Sequence, residues 1–357
     1  MKNTTTLLAL LISSVAFGQH LSKNALFIGN SYTYENNLAQ MIVDAAASTG
    51  DTLTFDSYAM GGYSLASHLV STITTTKIMA GNWDYVVLQE QSQLPALPTS
   101  QFMTGVFPFA HKLDSLINKS NPCGETVFYM TWGRKNGDAV YCSVYGSWPW
   151  PAVCTYEGMD SLLNLRYRMM ADSNDAVVSP VGAVWNNIRS SHPQIELYQA
   201  DESHPSVAGT YAAACCFYAT FFRKDPTLIT SNPGLPAADA AVIRNAAKLI
   251  VYDSLLNWHI GEYDAAIDAA CSPVDTNEEN QDLFWKIFPN PASGTLNIEF
   301  AGNNRLEQIQ VYNAAGILMQ DMEITSPWEI NLANLPKGLY FIRLKNNQQS
   351  LRKFVKQ

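Results

Sequence analysis

Short apolar runs alternate with longer segments of helical periodicity over the first two thirds of the chain. The runs are rich in β-branched and aromatic residues, which favour strands, and lie at 25–28, 53–58, 85–88, 126–132 and 176–184. Apolar positions recur every three to four residues at 38–48, 65–73, 101–117, 159–170, 207–222 and 237–256. This alternation predicts a three-layer α/β/α sandwich around a mostly parallel five-stranded sheet.

The pattern changes twice after residue 271. Residues 272–284 begin SPVDTNEENQD, which is rich in Pro, Asn and acidic residues, so we predict a linker. From 285 to 357 the apolar positions alternate with period two in short runs separated by Gly, Asn and Pro. These runs, at 296–300, 308–312, 317–322, 328–332, 338–344 and 351–355, predict a small C-terminal all-β sandwich.

Residues 1–18 have the pattern of a secretory signal peptide. Lys2 precedes an apolar run over 7–15, and Ala16-Phe17-Gly18 has the small-x-small form of a cleavage site. A membrane anchor is the alternative, but the run is shorter than the roughly 20 residues that span a bilayer. We therefore expect export, no transmembrane segment, and a first mature domain over residues 19–271.

Composition and charge narrow the range of partners. Hydrophobic residues make up 47% of the chain and charged residues only 15%, against about 25% in an average soluble protein. The net charge is -9, and because residues 285–357 carry eight basic and five acidic side chains, the rest of the chain carries the excess of acid. The chain has no basic cluster with interleaved aromatics, so we expect no nucleic-acid partner.

Six cysteines in an exported chain can form disulfides in 15 complete connectivities. Cys142 and Cys154 enclose a stretch rich in Gly, Pro and Trp, where a short bridge would restrict the unfolded chain. The vicinal Cys215 and Cys216 lie in a helical pattern and fit buried free thiols. There is no CxxC and no His/Cys cluster at zinc spacing, so no metal site is predicted.

Two motifs carry residues typical of nucleophilic catalysis. Ser31 follows the first predicted strand, where α/β sheets place their ligands, and a residue at a helix start keeps its N–H unpaired. A plain helix N-cap explains the same motif. Asp201 precedes His204 by three residues, so its carboxylate can orient an imidazole that acts as base and acid. A surface turn is the alternative there.

Two more motifs offer hydrogen-bond donors. Gly61 and Gly62 follow the second predicted strand, where glycine lets a backbone N–H approach a reacting centre, although a tight turn needs glycine equally. Gln89 ends the third strand, and its side-chain amide could donate to an oxyanion or simply cap the strand. Since parallel strands share one carboxyl edge, the four motifs are expected to meet.

The order nucleophile, donor, donor, Asp/His resembles the SGNH/GDSL hydrolase superfamily over residues 24–257. Gly29-Asn30-Ser31 matches its first block, a glycine at 61 or 62 its second, and Asp201-x-x-His204 its fifth. The resemblance implies a secreted serine esterase that needs no cofactor. Ser31 is then the nucleophile, His204 the general base and acid, and Asp201 its orienting carboxylate.

The oxyanion hole implied by the resemblance consists of the N–H groups of Ser31 and of Gly61 or Gly62, with Gln89 in place of the usual third-block Asn. The usual aspartate after the first glycine is Asn30 here. The altered third block favours a second hypothesis, a catalytically weak or inactive surface protein that binds carbohydrate or acts in adhesion. A lipase or thioesterase is a third hypothesis.

Substrate recognition has fewer signals. Trp148 and Trp150 lie in an irregular stretch that either forms an aromatic lid over a sugar or packs into the body, and packing is the favoured interpretation. Arg134, in the turn after the fourth strand, is a candidate for an anionic substrate group. The predicted export and the aromatic residues together favour a substrate in which an acyl group is esterified to a carbohydrate.

The tail carries three ordered motifs: Phe288-Pro289-Asn290-Pro291, Val311-Tyr312-Asn313-Ala314-Ala315-Gly316 and Leu335-Pro336-Lys337-Gly338-Leu339-Tyr340. They resemble the C-terminal sorting domain of the type IX (Por) secretion system. The resemblance implies export through the periplasm, recognition by the outer-membrane secretion machinery, and a secreted or cell-surface location. A carbohydrate-binding or adhesive β-sandwich is the alternative.

Overall fold

A computed structural model describes residues 20–144, 150–271, 285–300, 307–314, 317–324, 328–345 and 347–357. The predicted signal peptide, the predicted linker and Trp148 lie outside the described residues. The chain divides into two units close to residue 272. That division falls at the start of the predicted linker.

The N-terminal unit is built on a five-stranded sheet in which every neighbouring pair is parallel. Its strands are β1 (Ser22–Gly29), β2 (Thr52–Ala59), β3 (Tyr85–Leu88), β4 (Glu125–Tyr129) and β5 (Val177–Ser179). Their order in the sheet is β2-β1-β3-β4-β5. The inner strands are apolar because helices cover both faces, which confirms the predicted α/β architecture.

Helices connect the strands and form two groups. They are α1 (Ser31–Tyr34), α2 (Leu38–Ala47), α3 (Leu65–Val70), α4 (Thr72–Met79), α5 (Thr99–Gly105), α6 (Phe107–Ser120), α7 (Ala139–Val144), α8 (Tyr156–Asp172), α9 (Val181–Ser191), α10 (Val207–Phe222), α11 (Ala237–Ile250) and α12 (Asp264–Cys271). One group packs around α10 and contains α2, α9 and α11; the other packs around α6 and contains α3, α4 and α8. Nearly all of α10 is buried, as its uniformly apolar sequence requires.

The run 176–184 was predicted as one strand, and this is wrong beyond residue 179. After β5 the chain passes Pro180, which stands at the N-cap of α9 and lacks an N–H that would need a partner. Val181, Val184, Trp185 and Ile188 are buried at helical spacing. A single apolar run therefore contains a short strand and the first turns of a helix.

Three predicted helices are broken. The segment 65–73 stops at Val70, and Ser71 adopts an extended conformation and caps α4 through its hydroxyl. The segment 101–117 divides between α5 and α6 at Val106. The segment 237–256 ends as an α-helix at Ile250 and continues as a 3₁₀-helix over Tyr252–Trp258.

The C-terminal unit consists of antiparallel strands, which confirms the all-β prediction. The strands are β6 (Trp285–Phe288), β7 (Thr295–Phe300), β8 (Glu307–Asn313), β9 (Leu318–Ile324), β10 (Glu329–Asn331), β11 (Gly338–Leu344) and β12 (Asn347–Lys356). They form a three-stranded sheet, β10-β7-β6, and a four-stranded sheet, β12-β11-β8-β9. One apolar cluster joins residues of both sheets, among them Leu296, Ile309, Ile342 and Phe354.

Among the described residues no helix is both long enough and apolar enough to cross a membrane. The predicted bridge between Cys142 and Cys154 is present, and a second disulfide joins Cys123 to Cys271. Cys215 and Cys216 are buried free thiols, as the helical pattern indicated.

Removing the two disulfides separately should destabilise the protein to different extents. The bridge Cys123–Cys271 closes a separation of 148 residues and Cys142–Cys154 one of 12. In the chain-entropy model these loops correspond to about 5 and about 3 kcal/mol of unfolding free energy. We expect Cys123→Ser/Cys271→Ser to lower the urea midpoint more than Cys142→Ser/Cys154→Ser. The reverse order would show that native packing, not loop entropy, controls the effect.

Candidate active site

Ser31 is the first residue of helix α1, directly after strand β1. Asn30 caps this helix, because its Oδ1 accepts a hydrogen bond from the Tyr32 N–H at 3.2 Å. The other end of the same amide, Nδ2, donates to the Tyr63 carbonyl at 2.8 Å. The cap therefore fixes the turn that carries Ser31 and joins it to the loop after β2. The Ser31 N–H lies at the helix start, where it has no acceptor within the helix.

Gln89 supports this turn from the neighbouring strand β3. Its Oε1 accepts hydrogen bonds from the Asn30 N–H at 2.8 Å and the Thr33 hydroxyl at 2.9 Å, and its Nε2 donates to the Glu90 carbonyl. A side chain on Gly29 would overlap this arrangement, because an added Cβ would lie 2.6 Å from Oε1. Gln89 is fully buried. One N–H of its side-chain amide is thus used inside the protein, and its role as an oxyanion donor stays a prediction.

The glycine turn lies beside the nucleophile. Met60, Gly61, Gly62 and Tyr63 form a β-turn in which the Tyr63 N–H donates to the Met60 carbonyl at 3.0 Å. Gly62 needs its freedom from a Cβ because its φ is +74°. The Met60 N–H donates to the Gly29 carbonyl at 3.2 Å, so both ends of the turn are bonded to residues just before Ser31. The turn leaves the central N–H groups of Gly61 and Gly62 outside its own hydrogen bond.

Asp201 and His204 lie in the loop before α10. The imidazole Nδ1 of His204 contacts Asp201 Oδ2, and the backbone N–H groups of Ser203 and His204 donate to Oδ1 at 3.1 and 3.0 Å. A carboxylate accepts hydrogen bonds, so Nδ1 carries the proton and Nε2 is the free base. The loop thus orients the histidine and selects its tautomer.

The structure brings Ser31, His204 and Asp201 into one hydrogen-bonded chain. His204 Nε2 lies 2.8 Å from Ser31 Oγ, at a sequence separation of 173 residues. Desolvation acts to raise the pKa of Asp201, but the hydrogen bonds from His204 and Ser203 outweigh it and hold that pKa below its usual value. Asp201 is therefore ionised at neutral pH and able to stabilise a charged imidazole.

Glu90 follows Gln89 and is buried, and its carboxyl group accepts from the Leu65 N–H, at the start of helix α3. Burial raises the pKa of Glu90 to about 8, against the opposing effect of hydrogen bonds from the Gln91 and Leu65 N–H groups. The carboxyl is consequently neutral at pH 7. A negative charge there would oppose an oxyanion on the neighbouring backbone donors.

The candidate substrate residues have distinct environments. Arg134 pairs with buried Asp138 at 3.2 Å, and the N–H of the next residue, Lys135, donates to the Glu202 carbonyl in the histidine loop at 2.9 Å. Trp150 donates its indole N–H to the Ala96 carbonyl at 2.9 Å and packs against the core. This contact matches the favoured interpretation of Trp150 as a packing residue. His68 is buried and bonds the Gly29 carbonyl at 2.8 Å.

The sequence motifs did not identify Tyr32, Trp132 or Ser203 as members of the site. Tyr32 and Ser203 each adjoin a candidate catalytic residue, and their hydroxyls lie 2.6 Å apart although 171 positions separate them. Trp132 donates its indole N–H to the Ser203 carbonyl at 3.1 Å. A contact between such distant residues leaves no spacing signal, so only adjacency to Ser31 and His204 could have drawn attention to them.

Comparison with family models and solved structures adds to this picture. Residues 286–357 match the model of the secretion system C-terminal sorting domain, which confirms the predicted tail. No curated protein sequence matches the chain. Several solved structures are similar to its N-terminal part.

A DUF4886 family protein from Bacteroides uniformis is 17% identical, with a TM-score of 0.52 over 66% of this chain and 95% of that one. A protein provisionally assigned as an SGNH hydrolase from Slackia heliotrinireducens is 25% identical, with a TM-score of 0.44 over 55% of this chain and 97% of that one. An acetyl xylan esterase from Geobacillus stearothermophilus is 16% identical, with a TM-score of 0.37 over 55% and 92%. Residues 286–357 thus match the secretion system C-terminal sorting domain, and the solved structures similar to the α/β unit before them include proteins described as a DUF4886 family protein, an SGNH hydrolase and a lipase/acylhydrolase.

Proposed function

We propose that the N-terminal unit is a secreted serine esterase that hydrolyses carboxylic esters through an acyl-Ser31 intermediate. The observation that carries the proposal is the hydrogen-bonded chain from Asp201 through His204 to Ser31, with 2.8 Å between Nε2 and Oγ. Each group has the chemistry its place demands: a hydroxyl, a base whose tautomer is fixed, and an ionised carboxylate behind it.

The reaction begins when Ser31 Oγ attacks the ester carbonyl carbon and His204 Nε2 accepts the hydroxyl proton. The N–H groups of Ser31 and of Gly61 or Gly62 donate to the resulting oxyanion. Collapse of this intermediate breaks the bond to the alcohol, which leaves with the proton from His204. Water then attacks the acyl group, with His204 again as base, and the acid departs as Ser31 regains its proton.

The proposed substrate is an ester of a short acyl group, such as acetate, on a carbohydrate. The exposure of two site residues supports a bulky alcohol portion. The side chains of Asp201 and His204 are 47% and 32% exposed, so the site is open to solvent on the side of the histidine. The sorting domain supports substrates outside the cell. Rates on p-nitrophenyl acetate, butyrate and octanoate, together with acetylated xylan, test this class. A clear preference for octanoate would favour the lipase or thioesterase hypothesis instead.

Replacing the nucleophile should abolish hydrolysis without unfolding the protein. We expect Ser31→Ala to lower kcat on p-nitrophenyl acetate at least a thousandfold, because no other group forms the acyl-enzyme. A fluorophosphonate probe should phosphonylate Ser31 in the wild type and leave the variant unlabelled, as mapped by peptide mass.

Ser190→Ala is the matched control, since Ser190 is an exposed serine of α9 that bonds only the Asn187 carbonyl. Equal rates for wild type and Ser31→Ala would contradict the proposal. A folded wild type that takes no label but binds glycans would favour the carbohydrate-binding or adhesive hypothesis. The burial of Gln89, with an amide N–H donated to the Glu90 carbonyl, is the observation that supports that second candidate.

Asp201→Asn should slow the enzyme by about a thousandfold in kcat, because an amide no longer selects the tautomer or stabilises the imidazolium. The chain offers a matched control in Asp172→Asn, which alters another exposed pair, Asp172 Oδ1 with His259 Nε2 at 2.7 Å. Stopped-flow or steady-state hydrolysis of p-nitrophenyl acetate measures both. If the two variants lose activity to the same small extent, Asp201 has no special part in the reaction.

We further propose that residues 1–18 direct the chain to the periplasm and that the C-terminal domain directs it through the type IX machinery. Deleting residues 286–357 should therefore retain esterase activity in the purified protein and stop its appearance outside cells of a host with that machinery. Fractionation of cells and medium, with a tail-bearing control, measures the effect. Undiminished export of the truncated chain would refute the assignment of the tail's role.

A further inference from the structure

The histidine loop and the nucleophile helix share a second contact beside the one between His204 and Ser31. The hydroxyls of Tyr32 and Ser203 lie 2.6 Å apart, and both residues are buried. Each is the immediate neighbour of a residue of the proposed triad. We infer that this hydroxyl pair positions His204 against Ser31, a role that rests on the proposed esterase function.

Ser203 is held from three directions. Its N–H donates to Asp201 Oδ1 at 3.1 Å, its carbonyl accepts from the Trp132 indole N–H at 3.1 Å, and its hydroxyl pairs with Tyr32. His204 follows in the chain, so its Cα has little freedom once Ser203 is fixed. The position of the imidazole relative to Oγ of Ser31 therefore depends on where Ser203 is held.

Tyr32 is itself rigidly placed. Its ring stacks on Trp132 with centroids 4.8 Å apart, and Trp132 stacks on Trp185 at 3.7 Å. The Tyr32 ring also contacts His204: the two ring centroids are 5.4 Å apart, and the rings are steeply inclined to each other. Trp132 follows β4 and Trp185 belongs to α9, so the sheet and a core helix both fix the direction of the Tyr32 hydroxyl.

The Tyr32 hydroxyl stays uncharged at neutral pH. Burial raises its pKa, and this outweighs the lowering effect of the Ser203 and Ser92 hydroxyls and of the Arg134 charge. A protonated phenol next to Ser203 supplies a fixed hydrogen bond and takes no proton from the substrate. Tyr32 and Ser203 are positioning residues, and they act through His204.

Loss of the pair should impair the chemical step more than substrate binding. We expect Tyr32→Phe and Ser203→Ala each to lower kcat on p-nitrophenyl acetate by about ten- to a hundredfold, because small displacements of a reacting group have effects of this size. KM should change less than about threefold. The double variant should be no slower than the slower single one, since the two residues make one shared contact.

The matched control is Tyr218→Phe, which removes another buried hydroxyl whose partner, Thr49 Oγ1 at 3.1 Å, belongs to a different part of the unit. Hydrogen–deuterium exchange of peptides covering 199–206 gives a second readout that needs no activity. Exchange there should be faster in Tyr32→Phe and Ser203→Ala than in the wild type or Tyr218→Phe.

Unchanged exchange and a kcat equal to that of Tyr218→Phe would overturn the inference and leave the proposed esterase function intact. If the wild type shows neither hydrolysis nor fluorophosphonate labelling, the proposed function fails, and the exchange data alone decide whether the hydroxyl pair holds the loop. Faster exchange with unaltered kcat would also overturn the inference, because the loop would then be free without cost to the reaction.

Discussion

The 2.8 Å contact between Ser31 Oγ and His204 Nε2 joins two turns separated by 173 residues. Residues between the two turns hold each of them in place: Gln89 supports the first, and the Trp132 indole supports the second. Strand β1 lies inside the sheet between β2 and β3, and Ser31 follows its carboxyl end. The loop before α10 carries His204 to the same place, where its Nε2 contacts Ser31 Oγ. Most of the polar contacts at this edge hold these two turns in position relative to each other.

On the serine side the main support is an amide that accepts two hydrogen bonds. Gln89 Oε1 holds the Asn30 N–H and the Thr33 hydroxyl, and the missing Cβ of Gly29 makes room for it. The Nε2 of the same amide donates to the Glu90 carbonyl, inside the protein. The remaining donors at the serine edge are backbone N–H groups, those of Ser31 and of the glycine turn. In the proposed reaction, stabilisation of the oxyanion depends on backbone shape, which Asn30 maintains from both ends of its side chain.

Much of this arrangement was predictable from sequence because it follows local rules. The apolar runs identified the sheet, and the motifs at strand ends identified Ser31, Asp201 and His204, which the structure brings together. Periodicity failed at 176–184, where Pro180 separates a strand from a helix inside one apolar run. Residue type also left open the direction of the Gln89 amide, whose Nε2 donates to the Glu90 carbonyl.

Contacts between residues that are distant in sequence leave no recognisable pattern in the sequence. The pairing of Tyr32 with Ser203 and the partner of Cys123 depend on how the layers pack, and neither has a spacing rule. The tail was predictable because its motifs are contiguous, and its family model matches nearly the whole segment.

The disulfide between Cys123 and Cys271 has a mechanical consequence. Cys271 is the last residue of α12 and stands immediately before the predicted linker, whereas Cys123 lies two residues before the amino end of β4. Tension applied to the chain beyond residue 271 would pass through this covalent bond into an inner strand and would bypass α12. The load would enter the sheet at the ends of the strands opposite to Ser31. A pull on the C-terminal segment would therefore load the edge of the sheet next to Cys123, and the edge that carries Ser31 would stay unstrained.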